Sequence, residues 1–165
     1  MKNIVLIGMP GAGKSTVGVL LAKSLLMDFC DTDLVIQQQC KKSLCDLIAE
    51  NGIADFIETE NRTVAGLRFE NCVVATGGSV VYGEQAMRNL RKNATVVYLQ
   101  VDVRELENRI CNIRTRGIAM KEGTTIAQLY DERAKLYARY ADVTVNCTDM
   151  KPEECVDRIV AQLNQ

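Results

Sequence analysis

The sequence predicts an α/β domain, a parallel sheet covered by helices on both faces. Three observations carry this. Short apolar runs (Ile4–Ile7, Val73–Thr76, Thr95–Leu99) alternate with longer segments whose apolar residues recur at helical spacing. A turn and a helical stretch follow each run, which is the crossover that parallel strands need. No repeat, low-complexity tract or linker interrupts the 165 residues, so 1–165 reads as one domain.

The elements follow in order. The first strand, Ile4–Ile7, runs into Gly8-Met9-Pro10-Gly11-Ala12-Gly13-Lys14-Ser15-Thr16. A helix opens at about Lys14 and shows one apolar face at Val17, Leu20, Leu21 and Leu25. A short strand near Phe29-Cys30 ends in Asp31-Thr32-Asp33, and a helical segment at about Leu34–Gln39 follows. Ser43, with Asp46 three residues on, reads as a capping box with Asp in place of Glu, opening a helix that ends at Asn51-Gly52. A longer helix is expected from about Ala54 to Phe69, then a strand, Val73–Thr76, ending at Gly77-Gly78-Ser79. Helix Gly83–Lys92, strand Thr95–Leu99, a charged helix at about Arg104–Cys111 and a basic stretch, Arg114–Gly123, come next. Helix Ile126–Tyr140, strand Val143–Val145 and a helix opened by Pro152-Glu153-Glu154 complete the chain.

Composition narrows the function. Twenty Lys and Arg against 21 Asp and Glu, with no basic block, argue against nucleic acid or an anionic membrane as partner. Met1-Lys2-Asn3 leads straight into the first strand, and Lys23-Ser24 interrupts the most apolar helix. Neither a signal peptide nor a membrane span is expected, and a cytoplasmic monomer is the default reading. The seven cysteines include no C-x-x-C pair and read as reduced, mostly buried thiols. The chain has no His, which excludes Cys/His zinc sites and Ser-His-Asp or Cys-His nucleophiles. Acid–base chemistry falls to Asp, Glu, Lys or Tyr.

The run Gly8–Thr16 has the pattern G-x-x-x-x-G-K-[ST] between a strand and a helix, the setting of a P-loop. Backbone N–H groups around Gly11, Ala12 and Gly13 would point at phosphate oxygens, aided by the positive end of the following helix. Lys14 would reach the β- and γ-phosphates, and the Ser15 hydroxyl would ligate Mg²⁺. In a parallel sheet, ligands sit at the carboxyl ends of strands. There Asp31 and Asp33 can divide the work, one holding the waters of the metal and the other accepting a proton from an incoming hydroxyl; helix N-capping is the alternative reading of both. Gly77-Gly78 would let a substrate approach the backbone. Val73–Thr76 ends in glycine rather than Asp, and Asn146-Cys147-Thr148-Asp149 lacks the Lys of a guanine-reading motif, which argues against a GTPase.

These residues, with Leu106-x-x-Arg109, Arg116 and Arg133-x-x-x-Tyr137-x-x-x-Ala141-Asp142, resemble the shikimate kinase family over essentially the whole chain. The resemblance implies a three-layer P-loop kinase fold with a five-stranded parallel sheet. It implies a mobile lid at about 113–123 and an acceptor-binding helical region at about 33–62. The activity it implies is MgATP-dependent transfer of the γ-phosphoryl group to a ring hydroxyl of shikimate, a step toward the aromatic amino acids. By the family pattern, Asp33 binds the acceptor hydroxyls and serves as general base, and Asp31 holds Mg²⁺ through water. Arg109 lies along the adenine, Arg116 closes from the lid onto the phosphates, and Arg133 pairs with the acceptor carboxylate. Thr16 belongs to the nucleotide site, and Gly78 and Ser79 to the acceptor site.

The departures lie mainly at the acceptor end. Ile57 stands where the family carries an Arg that grips the carboxylate, Ser79 replaces the third glycine, and the lid reads Arg116-Gly117-Ile118-Ala119. A charge-assisted hydrogen bond is worth about 1.5–3 kcal/mol, so losing that Arg should weaken carboxylate binding on the order of ten- to a hundredfold. Arg62 lies roughly 140° around the helix and is a poor substitute; Glu58, if it faced the pocket, would repel an anion. A related polyol or cyclitol as acceptor, or a nucleotide-binding protein without kinase activity, are the alternatives.

Overall fold

A parallel strand is shielded from water only when both of its faces are covered. The computed structural model, which describes residues 2–111 and 117–164, meets that condition with five strands among those residues. They are β1 (Asn3–Ile7), β2 (Asp28–Asp31), β3 (Cys72–Ala75), β4 (Ala94–Gln100) and β5 (Val143–Asn146). All pair in parallel, in the order β2-β3-β1-β4-β5. Every residue of β1 and β3 is buried, so their runs are apolar rather than alternating. The central register sets Ile4 beside Val73 and Thr95, and Leu6 beside Ala75 and Val97. Because β1 has β3 on one side and β4 on the other, the winding reverses at its carboxyl end, where α/β sheets hold their ligands.

The described helices are α1 (Lys14–Leu25), α2 (Thr32–Cys40), α3 (Leu44–Asn51), α4 (Ile53–Ala65), α5 (Glu84–Leu90), α6 (Val103–Cys111), α7 (Ile126–Tyr140) and α8 (Pro152–Leu163). A 3₁₀ turn, Val80–Tyr82, precedes α5. Helix α1 packs against α8, α4 against α5, and α6 against α7. A second, smaller apolar cluster joins Ile36, Leu44, Leu47, Phe56 and Ala119, with Ile57 packed half-buried against it. None of these helices is long and apolar enough to cross a membrane.

Three sequence expectations are corrected. Helix α4 stops at Ala65 rather than Phe69, because Gly66 turns its N–H onto the carbonyls of Arg62 and Thr63. The Asn89 amide then donates to the Val64 and Leu67 carbonyls, at 2.9 and 2.7 Å. At α3, Ser43 Oγ accepts from the Asp46 N–H (3.1 Å), but the Asp46 carboxylate takes the Ser43 hydroxyl (2.7 Å) instead of reaching the Ser43 N–H. Asp is one methylene short of closing the box. A complete box opens α7 instead, from Thr125 and Gln128. Of the cysteines whose side chains are described, only Cys72, Cys147 and Cys155 are buried; Cys30, Cys40 and Cys45 are half-exposed. Residues 113–116 of the expected lid, including Arg116, lie outside the described residues.

Candidate active site

Strand β1 is buried from end to end, so its exit must turn sharply over the sheet. Gly13 takes a left-handed conformation (φ 92°) and serves as the cap from which α1 starts, which leaves the amides of the first turn facing the loop interior. Lys14 follows at 7% exposure and donates from Nζ to the carbonyls of Gly8 (2.7 Å) and Met9 (2.8 Å). Burial pushes its ammonium down to about 8; the charge of Asp33 opposes this and that of Arg133 adds to it. Ser15 Oγ donates to Asp31 Oδ2 at 2.6 Å. Asp31 also caps α2, accepting the Asp33 N–H on Oδ1 at 3.0 Å. The capping and functional readings of Asp31 are therefore compatible, one oxygen serving each.

These groups open onto a cavity of about 450 Å³ at the carboxyl ends of the strands. Gly11, Gly13, Lys14, Ser15 and Thr16 line it from the loop, Asp33 from α2 and Arg109 from α6. Gly77, Gly78 and Ser79 line it after β3, and Arg133 from α7. Ala12, also expected at the nucleotide, is buried within the loop. Arg109 donates to the Gly11 carbonyl at 3.0 Å and pairs with Glu105 one turn earlier. Of the described residues named from the sequence, the cavity thus gathers all except Ala12 and Asp31, and Asp31 is tied to it through Ser15.

At the acceptor end, Gly77 and Gly78 also make room for the site's own side chains. A Cβ on Gly77 would stand 2.7 Å from both Asp33 Oδ1 and Glu60 Oε2, and one on Gly78 would stand 2.7 Å from the Pro10 ring. Arg133 is 1% exposed and forms no ion pair among the described residues. It donates to the Ala119 carbonyl (2.6 Å) and to the Tyr82 hydroxyl (3.3 Å), with its guanidinium 5.3 Å from the Tyr82 ring centre. One turn later Tyr137 donates to the Gly78 carbonyl at 2.6 Å, and past the end of α7 Asp142 clasps Val96 of β4 through both its N–H and its carboxylate. The carboxyl-terminal half of α7 is thereby fixed, with Arg133 lining the cavity. Glu58 and Arg62 lie exposed on the outer face of α4, 4.0 Å apart, so Glu58 repels nothing in the cavity.

Glu60, which matches the family's glutamate after the Arg position held here by Ile57, has no role in the sequence pattern. It is 1% exposed and accepts from Ser79 Oγ at 2.6 Å. Burial pushes its carboxyl up to about 7; the Ser79 hydrogen bond pulls the other way, and the neighbouring Asp33 charge adds to the rise. That match says nothing of its environment, and only tertiary packing buries it. The Asn146–Asp149 turn is structural: Thr148 Oγ accepts the Asp102 N–H (2.9 Å), and Asp149 donates its N–H to Glu105 (2.8 Å).

A shikimate kinase family model matches residues 10–164. The chain is 31% identical to the shikimate kinase of Bacillus cereus (strain AH187) over 165 residues, covering all of both chains. It is 33% identical to that of Persephonella marina over 164 residues, 99% of each. Among solved structures, it superposes on shikimate kinase from Acinetobacter baumannii in complex with shikimate with a TM-score of 0.91 at 26% identity, covering 99% of this chain and 93% of that one. For the Aquifex aeolicus shikimate kinase the TM-score is 0.83 at 32% identity, covering 98% and 96%.

Proposed function

From the membership of this chain in the shikimate kinase family, we propose that it transfers the γ-phosphoryl group of ATP to a ring hydroxyl of shikimate, forming shikimate 3-phosphate. The observation that carries this reading is the opening of the phosphate loop, Asp33 and the buried Arg133 onto one cavity. Phosphoryl transfer asks for alignment and positive charge rather than covalent help from the protein. On this reading Lys14 leaves the Gly8 and Met9 carbonyls for the β- and γ-phosphates, and Arg109, beside Gly11, flanks the base. Asp33 receives the proton of the acceptor hydroxyl as the new P–O bond forms and the β–γ bridging bond breaks. Arg133 pairs with the acceptor carboxylate. Arg116 would add charge from the lid, as the family pattern implies.

Mg²⁺ fits the loop end of this site. The Ser15 hydroxyl and Asp31 Oδ2 are hard oxygen donors 2.6 Å apart at the mouth of the loop. An ion there would be held by those one or two protein oxygens together with phosphates and water. When bound, it would neutralise charge on the phosphate oxygens.

A coupled ADP-release assay with shikimate, quinate and a panel of uncharged polyols tests the reading. Shikimate turnover well above the panel is expected. Faster turnover of an uncharged polyol would reassign the acceptor. Silence across the panel, with ATP still raising the melting temperature, would leave a nucleotide-binding protein without this activity.

A further inference from the structure

The acceptor end of the cavity holds a second buried carboxyl to which the reaction above gives no task. Glu60 Oε1 accepts from Ser79 Oγ at 2.6 Å, while Oε2 is buried and makes no hydrogen bond among the described residues. Oε2 and Asp33 Oδ1 each lie 2.7 Å from the point where a Gly77 Cβ would stand, so their separation is at most twice that distance. The titratable and charged groups acting on Glu60 are Lys14 of α1, Asp33 of α2, and Arg133 and Tyr137 of α7. With Glu60 protonated, Lys14, Arg133 and Asp33 leave one positive charge in excess; with Glu60 ionised, the set is balanced. Two carboxyls this close in a buried site resist ionising together. The hydroxyl of Ser79, which replaces the glycine expected at that position, donates to Glu60 and favours its charged form.

We propose that Glu60 is a specificity-determining residue for the acceptor: tethered by Ser79 and aimed over Gly77 beside Asp33, its carboxyl admits an anionic acceptor when protonated and disfavours it when ionised. Burial places that change near pH 7. Ser79 sets how early it comes, since its hydrogen bond opposes the effect of burial. The proposal rests on the shikimate kinase reading, because it needs an acceptor with a carboxylate at Arg133.

Two measurements test it separately from that reading. Carbon-13 titration of the Glu carboxyls in the free protein, with Glu60→Gln assigning the signal, should give a midpoint near 7 that moves up in Ser79→Ala. At saturating ATP and Mg²⁺, which keep Lys14 charged, KM for shikimate should rise on the order of tenfold between pH 6 and 8.5. The rise should shift to higher pH in Ser79→Ala and vanish in Glu60→Gln, whose amide mimics the protonated acid. A flat wild-type KM, or a rise that persists in Glu60→Gln, overturns the proposal. If Glu60→Gln does not fold, an unmoved rise in Ser79→Ala does the same. Should wild type turn over no shikimate at any pH, the kinase reading has failed, and a carboxyl midpoint below about 5.5 would then remove Glu60's proposed role as well.

Discussion

Gly77→Ala adds a single methyl group where Asp33 Oδ1 and Glu60 Oε2 both stand 2.7 Å away, about 0.7 Å inside ordinary van der Waals contact. Gly77 is not among the residues with positive φ, so Ala meets no backbone penalty and the effect is confined to the two carboxyls. Both carboxyls crowd the added methyl group, and the displacement that reaches kcat is that of Asp33. A displacement approaching 1 Å at a proton acceptor costs about a hundredfold in rate, and overpacking costs about 1–3 kcal/mol of stability. The expected result is a kcat lowered on the order of a hundredfold, a KM for ATP within twofold of wild type, and a melting temperature lower by several degrees. Gly66→Ala is the control, because its nearest neighbours, the Thr63 and Arg62 carbonyls, are at 3.6 and 3.7 Å. Steady-state ADP release with thermal melts of both variants decides the matter. A Gly77→Ala enzyme with wild-type kcat would show that Asp33 is not the group that meets the reacting hydroxyl.

Three further outcomes are expected. Lys14→Met should reduce turnover with any acceptor to background, and retention of even a tenth of wild-type kcat would place the phosphates elsewhere. Ile57→Arg should lower KM for shikimate about tenfold, with no gain for uncharged polyols, at a stability cost of about 1 kcal/mol from packing lost against the smaller apolar cluster. An unchanged KM would mean that Arg133 already satisfies the carboxylate. Folded Glu60 keeps its proton up to about pH 7, whereas the unfolded chain loses it near 4.5, so between those values the folded state binds more protons and stability must fall as pH rises. Denaturant melts across that range should show the decline in wild type and a shallower one in Glu60→Gln; equal slopes would refute the assignment.

The motifs legible in the chain were those whose chemistry is local. A strand that must be buried on both faces is an uninterrupted apolar run, and a loop that wraps phosphates needs Gly8, Gly13 and Lys14 at fixed spacing, so both declared themselves in one dimension. The same holds for Ser43 as the cap of α3 and for Asp31-Thr32-Asp33 at the end of β2. Where α4 stops is marked locally by Gly66, but the Asn89 amide that answers the Val64 and Leu67 carbonyls comes from far along the chain.

The sequence by itself determined the parallel α/β architecture, the phosphate loop and the strand-end residues Asp31, Asp33 and Gly77-Gly78, since each depends on neighbours within a turn or two of chain. Arg109 and Arg133 were reached through the family resemblance. Tertiary structure alone decided that Glu58 faces water while Glu60, two residues on, is buried against Ser79. It also decided that Gly77 is small to make room for two carboxyls, and that Arg133 is buried without an ion-pair partner among the described residues. The physical reason is that burial and charge coupling are properties of the groups that meet in space. At this site those groups come from α1, α2, α4, α7 and the turn after β3, stretches that spacing along the chain does not relate to one another.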